Sequence, residues 1–396
     1  MTAVIDKKGI TPARGSILND ARVRGLFYQA LVFASLVAFI WWIIRNTTEN
    51  LARLNIASGF GFMNGRAGFD LGQSLIPYSS DSNYWEALQV GLFNTLLVAV
   101  VGIVTATLVG FLIGVGRLSR NWLISRLCTV YVELFRNIPP LLVIFFWYFG
   151  VLSILPQPRQ SIELPFGGFL NNRGFTLAKP IFESGFGFVT AAIALGIVAS
   201  IVLYRWARAR QMATGHQFPI LWSALGLIIG LPLLVFLFMG SPLSFDYPQK
   251  STFNLTGGLQ IGPEFMALYL ALSFYTASFI AEIVRGGILG ISKGQTEAAY
   301  SLGLRPGPNM RLVVIPQALR IIIPPLTSQY LNLTKNSSLA IAIGYADLVA
   351  VGGTILNQTG QAIEVVAIWM VVYLGISLAT SAFMNWFNAK MALVER

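Results

Sequence analysis

Cysteine and histidine are almost absent from this chain of 396 residues, which carries one of each, Cys128 and His216. A single cysteine cannot form an internal disulfide, and packing is the expected role of Cys128 in or beside an apolar helix. One histidine in a short polar loop cannot build a His-based metal site or a catalytic triad. The phosphate-binding pattern GxxxxGK[ST] is missing as well, because no glycine is followed by lysine. These absences predict a chain without a catalytic, metal or nucleotide site of its own.

Charged residues are scarce too, and long apolar runs take their place. Only 11% of the residues are charged and 55% are hydrophobic, with a mean hydropathy of +0.68, whereas soluble domains carry roughly 25% charged residues. Crossing the hydrocarbon core of a bilayer takes about 20 apolar residues. The sequence therefore predicts an all-α polytopic membrane protein with about eight transmembrane helices. The predicted spans cover residues 26–44, 88–116, 127–155, 187–204, 218–239, 264–284, 318–341 and 363–387.

The positions of Lys and Arg determine the predicted orientation. The formal net charge is +11 and the pI is about 9.9, yet the basic residues are scattered along the edges of the spans and form no basic domain. Most of them fall in the amino-terminal tail and in the segments after every second span, and basic residues in short loops stay cytoplasmic. Both termini are therefore predicted to be cytoplasmic. Anionic membrane lipid is the expected partner of this charge, and nucleic acid is not.

The polar segment between the sixth and seventh predicted spans has the most regular pattern in the chain. Glu297 and two alanines favour a helix, Gly303 ends it or turns it sharply, and Pro316 can open the helix that follows. Residues 305–308, with the sequence RPGP, fit the bend between the two helices. The pattern predicts a short helix-turn-helix outside the bilayer that serves as a docking surface. Its marked residues are Glu297, Ala298, Ala299, Gly303 and Pro316.

This segment resembles the coupling loop of bacterial ABC importer permeases, which reads EAA, three residues, glycine, nine residues, and an aliphatic pair with proline. Further blocks resemble permeases of the polar amino acid (histidine/glutamate/glutamine/arginine) uptake family of ABC transporters. Residues 131–142 are similar to the pattern Y-x-E-x-x-R-x-x-P-L, residues 275–288 lead into the loop, and residues 332–339 resemble N-x-x-K-x-[ST]-S-L. The resemblance covers roughly residues 88–155 and 264–390.

The resemblance implies a type I ABC importer transmembrane domain in the bacterial inner membrane. The implied partners are a second homologous permease subunit, two cytoplasmic ATP-binding subunits and a periplasmic amino-acid-binding protein. A heterodimer of permeases is expected, with a homodimer as the alternative. ATP and Mg would be bound by the ATP-binding subunits, so this chain would carry no cofactor and would not be an enzyme. Through the loop at Glu297, the ATPases would drive alternating access that moves L-amino acids from periplasm to cytoplasm.

The chain is larger than the five-span core of the ordinary family member. Residues 1–25 are predicted to be a cytoplasmic tail, and residues 26–87 an extra transmembrane helix with a periplasmic loop. The permease domain is predicted at residues 88–390, with an inserted region at 156–262 that includes an extra transmembrane hairpin, and with the coupling loop at about 286–317. This enlarged plan resembles the permeases of general L-amino-acid transporters, which implies a broad substrate range.

Two acid–arginine pairs share an i,i+3 spacing and fall towards the cytoplasmic ends of their spans. They are Glu133 with Arg136 and Glu282 with Arg285. Charges at this depth are costly unless they are paired or wet. The pairs are predicted either to lock core helices together or to belong to an inner gate. Directly after the first pair, Pro139-Pro140 must interrupt the helix, because proline has no N–H to donate.

Polar residues within the spans are candidates for the substrate pathway. An amino acid carries an ammonium and a carboxylate, and amides and hydroxyls can serve both ends while tolerating varied side chains. Hydrogen bonding between helices is an equal alternative for such residues, and close helix contacts are the predicted role of Gly102, Gly110, Gly114 and Gly116. The pathway candidates are Asn94, Thr95, Asn137, Asn332, Lys335, Asn336, Ser337 and Ser338.

Two other classes of function remain open from the sequence. An ion-coupled secondary amino-acid transporter or channel would tend to have intramembrane carboxylates, and the predicted spans are nearly free of Asp and Glu. In a membrane-bound assembly or signalling scaffold, the segment at Glu297 would be an ordinary surface helix. Recovery of the native complex with or without an ATPase separates both from the importer.

Overall fold

A computed structural model of the chain describes residues 21–53, 58–251 and 254–391, and this part is mostly helical. Short 3-10 turns lie at Phe60–Asn64, Pro158–Gln160 and Pro165–Gly167. The helices, numbered in chain order, are α1 (Ala21–Arg53), α2 (Tyr84–Gly116), α3 (Trp122–Arg136), α4 (Pro140–Leu152), α5 (Phe186–Thr214), α6 (Ile220–Phe238), α7 (Pro263–Leu289), α8 (Lys293–Ser301), α9 (Pro306–Ile343), α10 (Leu348–Thr359) and α11 (Ala362–Met391). Residues 1–20 of the predicted tail (1–25) lie outside the described residues.

The number of predicted spans is confirmed. Among the described residues, seven helices are long and apolar enough to cross a membrane, and the bent pair α3–α4 adds an eighth span if it is counted as one. The helices are longer than the predicted spans, because polar residues that flank the apolar runs are also helical. At the start of α2, for example, Asn83 and Glu86 form a reciprocal capping box, and α5 continues to Thr214.

The span predicted at residues 127–155 is not continuous. α3 and α4 meet at an angle of 109°, and the break falls between Arg136 and Pro140. Pro140 occupies a first-turn position of α4, where its missing N–H leaves no intrahelical hydrogen bond unmade. The predicted interruption at Pro139-Pro140 is therefore confirmed, and the predicted span consists of two helices joined at this break.

α7 is the central helix of the structure. It packs against α2, α3, α4 and α9 and is the most buried of the candidate spans. Its contact with α2 is so close that a Cβ atom at Gly110 would lie 2.6 Å from Cβ of Ile280, and one at Gly114 would lie 2.7 Å from the carbonyl oxygen of Ala281. The predicted glycine contacts are thus confirmed. The other two are Gly102 against Leu333 and Gly116 against Cys128.

Short antiparallel strands lie before and after the hairpin α5–α6 in the sequence. β3 (Gly174–Leu177) pairs with β8 (Leu259–Ile261) and β4 (Lys179–Phe182) pairs with β5 (Leu243–Asp246), so the chain enters and leaves the hairpin through the same sheets. We call residues 157–182 and 243–261 the outer module; the sequence predicts only loops there. Its strands are β1 (Ile162–Leu164), β2 (Gly168–Asn171), β3 (Gly174–Leu177), β4 (Lys179–Phe182), β5 (Leu243–Asp246), β6 (Gln249–Lys250), β7 (Leu255–Thr256) and β8 (Leu259–Ile261).

The two ends of α7 distinguish the two sides of the molecule. The helix starts at Pro263, directly after β8, and ends at Leu289, directly before α8. Its 27 residues span about 40 Å. The outer module and residues 297–303, which we call the EAA segment, therefore lie at opposite ends of the central helix, which agrees with their predicted placement on opposite sides of the membrane.

Candidate functional site

The EAA segment forms the predicted helix and turn. Glu297 lies in α8, and Gly303 follows the helix with a φ of +77°. The N–H of Gly303 donates to the carbonyl of Tyr300 at 2.9 Å, and the N–H of Leu304 donates to the carbonyl of Ala299 at 3.1 Å. These two hydrogen bonds define a Schellman motif, which requires a left-handed residue at the position of Gly303. The segment therefore has one fixed shape.

The helix after this turn differs from the prediction. α9 begins at Pro306 with Arg305 as its N-cap, so residues 305–308 form its first turn, and the bend lies earlier, at residues 302–304. Pro316 occupies the first turn of the α-helical stretch Ile315–Asn336, as predicted, but this stretch continues without a gap from a π-helical turn at Met310–Val314 inside α9. A proline inside a helix removes one hydrogen bond, and the wider π turn directly before it accommodates that loss.

The tip of the segment is exposed and apolar. Leu302 is 83% exposed and Tyr300 48% exposed, whereas Ala299 is buried against the rest of the protein. Only residues 290–292 separate α8 from the central helix α7. Gln317 of α9 also donates to the Gln295 side chain at 3.2 Å. The segment is therefore a knob fixed to both α7 and α9; we call it the coupling knob (residues 293–304).

Glu282 is the centre of the charged cluster near the inner end of α7. It accepts from Arg285 of its own helix at 2.6 Å and forms an ion pair with Arg117, which follows α2 directly. Arg136 at the end of α3 lies 4.0 Å from the same carboxylate and 5.7 Å from the ring of Phe279. One acid thus joins arginines of three helices, which matches the predicted helix lock.

The predicted pair of Glu133 with Arg136 does not form. Glu133 is exposed and has no ion-pair partner among the described residues, while Arg136 turns to Glu282 instead. Sequence spacing predicts neighbours on one helix. It cannot predict that a more buried carboxylate of α7 lies within reach of the same arginine.

Asn94 and Thr95 are fully buried and bind backbone groups. The Asn94 amide donates to the carbonyls of Gln73 and Ala346 at 3.0 and 2.9 Å. The Thr95 hydroxyl accepts from the N–H of Leu348 at 3.0 Å. Both residues therefore tie α2 to the start of α10, as the alternative of hydrogen bonding between helices predicts.

Two other pathway candidates line an open groove. Lys335 and Ser338 border a groove of about 390 Å³ that is completed by Trp369 and Tyr373 of α11. Lys335 has no ion-pair partner among the described residues. The remaining candidates do not share this groove: Asn332 and Asn137 are exposed, Asn336 is half-buried, and Ser337 is buried.

Asp347 is a fully buried acid that the sequence analysis does not single out. It is the N-cap of α10, and its Oδ1 accepts from the N–H of Ala350 at 2.8 Å. It lies between the spans α9 and α11, and burial raises its pKa to about 6. An Asp directly before an apolar helix is an N-cap signal that was available from the sequence.

Comparison with known proteins identifies the family. Residues 217–393 match the family described as the inner membrane component of binding-protein-dependent transport systems. The chain is 69% identical over 381 residues to the general L-amino acid transport system permease protein AapQ of Rhizobium johnstonii, with 96% of this chain and 95% of the relative covered. The chain belongs to the amino-acid permeases of ABC importers.

Two further relatives of this permease have nearly the same length. It is 50% identical to the putative amino-acid ABC transporter permease protein YhdX of Escherichia coli, over 97% of this chain and 98% of the relative. It is 44% identical to the glutamate/glutamine/aspartate/asparagine transport system permease protein BztB of Rhodobacter capsulatus, over 96% of each. These matches include the extra helix, the hairpin and the outer module.

Membership in this family decides between the classes of function left open by the sequence. The permease is a multi-pass, non-catalytic inner-membrane subunit of a binding-protein-dependent importer, as the resemblance implied. The secondary transporter, the channel and the scaffold are not the functions of this family.

Proposed function

We propose that this permease forms one half of the translocation pathway of an importer with a broad range of L-amino acid substrates. The relatives AapQ and BztB are named for a general L-amino acid system and a glutamate/glutamine/aspartate/asparagine system. The other half would be a second homologous permease subunit, or a second copy of this chain. Two ATP-binding subunits would bind ATP and Mg and hydrolyse the nucleotide, and a periplasmic amino-acid-binding protein would deliver the substrate.

The coupling knob would transmit the work of the ATP-binding subunits to the membrane helices. The observation that carries this proposal is an exposed apolar tip held by a rigid joint to the central helix. Leu302 and Tyr300 offer apolar surface to a cleft of the ATPase, and Glu297 offers a polar contact. A displacement of the knob acts on α7 directly, because residues 290–292 leave no room for a flexible linker.

The groove at Lys335 would be part of the pathway for the amino acid. Its ammonium can attract the substrate carboxylate, and the Ser338 hydroxyl can add a hydrogen bond. The faces of Trp369 and Tyr373 suit the substrate's cationic amino group. None of these groups reads the substrate side chain, which fits a broad range, and the second permease subunit would close the open side.

Substitution of Gly303 tests the coupling role. Asp at this position should abolish uptake of a radiolabelled L-amino acid by the reconstituted complex, while membrane insertion is retained. Space is not limiting, since a Cβ atom there would have no neighbour within 4 Å among the described residues, but the φ of +77° costs most other residues about 1–2 kcal/mol, and Asn and Asp less. The matched control is Gly68→Asp on the outer side, where φ is +70° and space is equally open.

The control variant should transport at nearly the wild-type rate, because it carries the same backbone strain away from the knob. Gly303→Asn separates shape from contact, since Asn tolerates the left-handed conformation. If Gly303→Asn retains the ATP-binding subunits and transports normally, the requirement is the Schellman turn. If Gly303→Asn loses the ATP-binding subunits and transport, glycine is required because the ATPase approaches the backbone closely at this position. Undiminished uptake by Gly303→Asp would refute the coupling role.

A further inference from the structure

A polar pocket of about 430 Å³ lies where the outer module meets the core. The turn between β2 and β3 contributes Asn172 and Arg173, and Gln260 of β8 lies beside them. The core contributes Glu264 from the first turn of α7 and Tyr148 from α4. Four stretches of the chain, residues 72–73, 148, 172–173 and 260–264, therefore converge on one cavity at the end of α7 that is remote from the coupling knob.

The two charges in this pocket have opposite signs and do not pair with each other. Neither Arg173 nor Glu264 has an ion-pair partner among the described residues. Glu264 accepts a hydrogen bond from the Tyr148 hydroxyl at 3.0 Å, which fixes one carboxylate oxygen. Elsewhere on the outer module a lysine and a glutamate do pair, Lys250 with Glu163 at 2.6 Å. Charged groups of the outer module can therefore pair, but Arg173 and Glu264 in the pocket do not.

Amide groups complete the lining. The side-chain amide of Gln260 donates to the carbonyl of Arg173 at 3.0 Å, which holds the turn in place. The Oδ1 atom of Asn172 is buried and has no hydrogen-bond donor among the described residues. A buried acceptor without a donor costs about 1–3 kcal/mol.

We propose that this pocket binds the zwitterionic head group of a free α-amino acid, as a reception site between the binding protein and the membrane pathway. Arg173 would bind the carboxylate, because a guanidinium matches its two oxygens. Glu264 would accept from the ammonium. The proposal rests on the proposed function in one respect, namely that the substrates are amino acids.

The position of the pocket connects it to the rest of the permease. Gln73 lines its wall, and the carbonyl of the same residue accepts from Asn94, which ties α2 to α10. Glu264 lies on α7, the helix that ends at the coupling knob. An amino acid that leaves the binding protein would thus be held next to the helices that carry the pathway. Most of the described side chains that line the pocket are polar, which suits a general importer.

The test measures binding of small probes to the assembled complex in nanodiscs, without the binding protein, by ligand-observed NMR. The probes are L-alanine, L-alaninamide, which lacks the carboxylate, and propionate, which lacks the ammonium. Arg173→Gln should weaken binding of L-alanine about tenfold or more but leave L-alaninamide unchanged. Glu264→Gln should weaken L-alanine to a similar extent but leave propionate unchanged.

Two further variants guard against misfolding. Arg173→Lys keeps the charge and should bind L-alanine more tightly than Arg173→Gln. Lys250→Gln removes a positive charge from the same outer module, outside the pocket, and should bind all three probes as the wild type does. Equal binding of L-alanine by the wild type and Arg173→Gln, or no binding by the wild type, would overturn the proposal.

Two controls separate this proposal from its alternatives. If Arg173→Gln weakens docking of the binding protein without changing the binding of L-alanine, the pocket is a protein contact and the proposal is wrong. Uptake by the wild-type complex with binding protein and ATP is measured in parallel. Normal uptake together with unchanged probe binding in the variants refutes the pocket alone, whereas absence of amino-acid uptake refutes the proposed function.

Discussion

Neutralising Glu282 should destabilise the permease more than neutralising any other acid at the inner ends of its core helices. The Glu282→Gln variant leaves Arg117 without a counter-charge, and the Arg117 side chain is only 10% exposed. It also removes the carboxylate from Arg285 and Arg136. Three helices lose their common ionic partner in a single substitution.

The expected magnitude follows from the exposure of the two partners. Breaking a fully buried pair by removing one member costs about 3–5 kcal/mol. The Glu282 side chain is 29% exposed, so water screens part of the charge left behind. We expect a loss of about 2–3 kcal/mol in the free energy of unfolding. In the Arg117→Gln, Glu282→Gln double variant much of this loss should be recovered, with a coupling energy of about 1–3 kcal/mol.

Unfolding in mixed micelles with increasing SDS, followed by circular dichroism, measures these values. The matched control is Glu133→Gln, which neutralises an exposed carboxylate on α3 that has no ion-pair partner among the described residues. Its effect should stay within about 0.5 kcal/mol. Equal destabilisation by Glu282→Gln and Glu133→Gln, or additive effects in the double variant, would refute the helix lock.

The remaining predictions concern packing and pH. Gly110→Ala should lower the free energy of unfolding by about 1–3 kcal/mol, because the new Cβ would lie 2.6 Å from Ile280. The control Gly226→Ala in α6, where a Cβ would have nothing within 4 Å among the described residues, should not lower it. Equal effects of the two substitutions would contradict the close contact. Burial raises the pKa of Asp347 from 3.8 to about 6. The stability that the buried, protonated Asp347 contributes is therefore fully present below pH 3.8 and is lost as the pH rises through about 6. The free energy of unfolding should fall by about 3 kcal/mol over this range. Asp347→Asn keeps the N-cap and should remove this pH dependence in urea or SDS titrations; a profile unchanged from the wild type would contradict it.

The parts of the fold that depend on nearby residues were predictable from the sequence. The turn at Gly303 follows from a helix-forming triplet and one glycine, and the break at Pro139-Pro140 follows from the chemistry of proline. The close contacts of Gly110 follow from the preference of membrane helices for small residues at their interfaces. Each of these rules needs only a few consecutive residues.

Features that depend on distant residues were not predictable in the same way. Arg117 and Glu282 are 165 positions apart, and no spacing rule connects them. β3 and β8 have four and three residues and pair across the whole α5–α6 hairpin, so neither has the length or alternation of a recognisable strand. The pocket at Arg173 exists only because this pairing brings the β2–β3 turn to the start of α7.

For the proposed coupling role of the knob, the arrangement of contacts along α7 limits which helices can move. Gly110 and Gly114 seat α2 directly on α7, and the Glu282 cluster ties both helices to α3 close to the knob. A packed interface of this kind moves as a unit and does not shear by small steps. We therefore expect α2, α3 and α7 to rotate together when the knob moves. Relative motion is then left to the break before Pro140, where α4 leaves α3 at 109°, and to the contact with the second permease subunit.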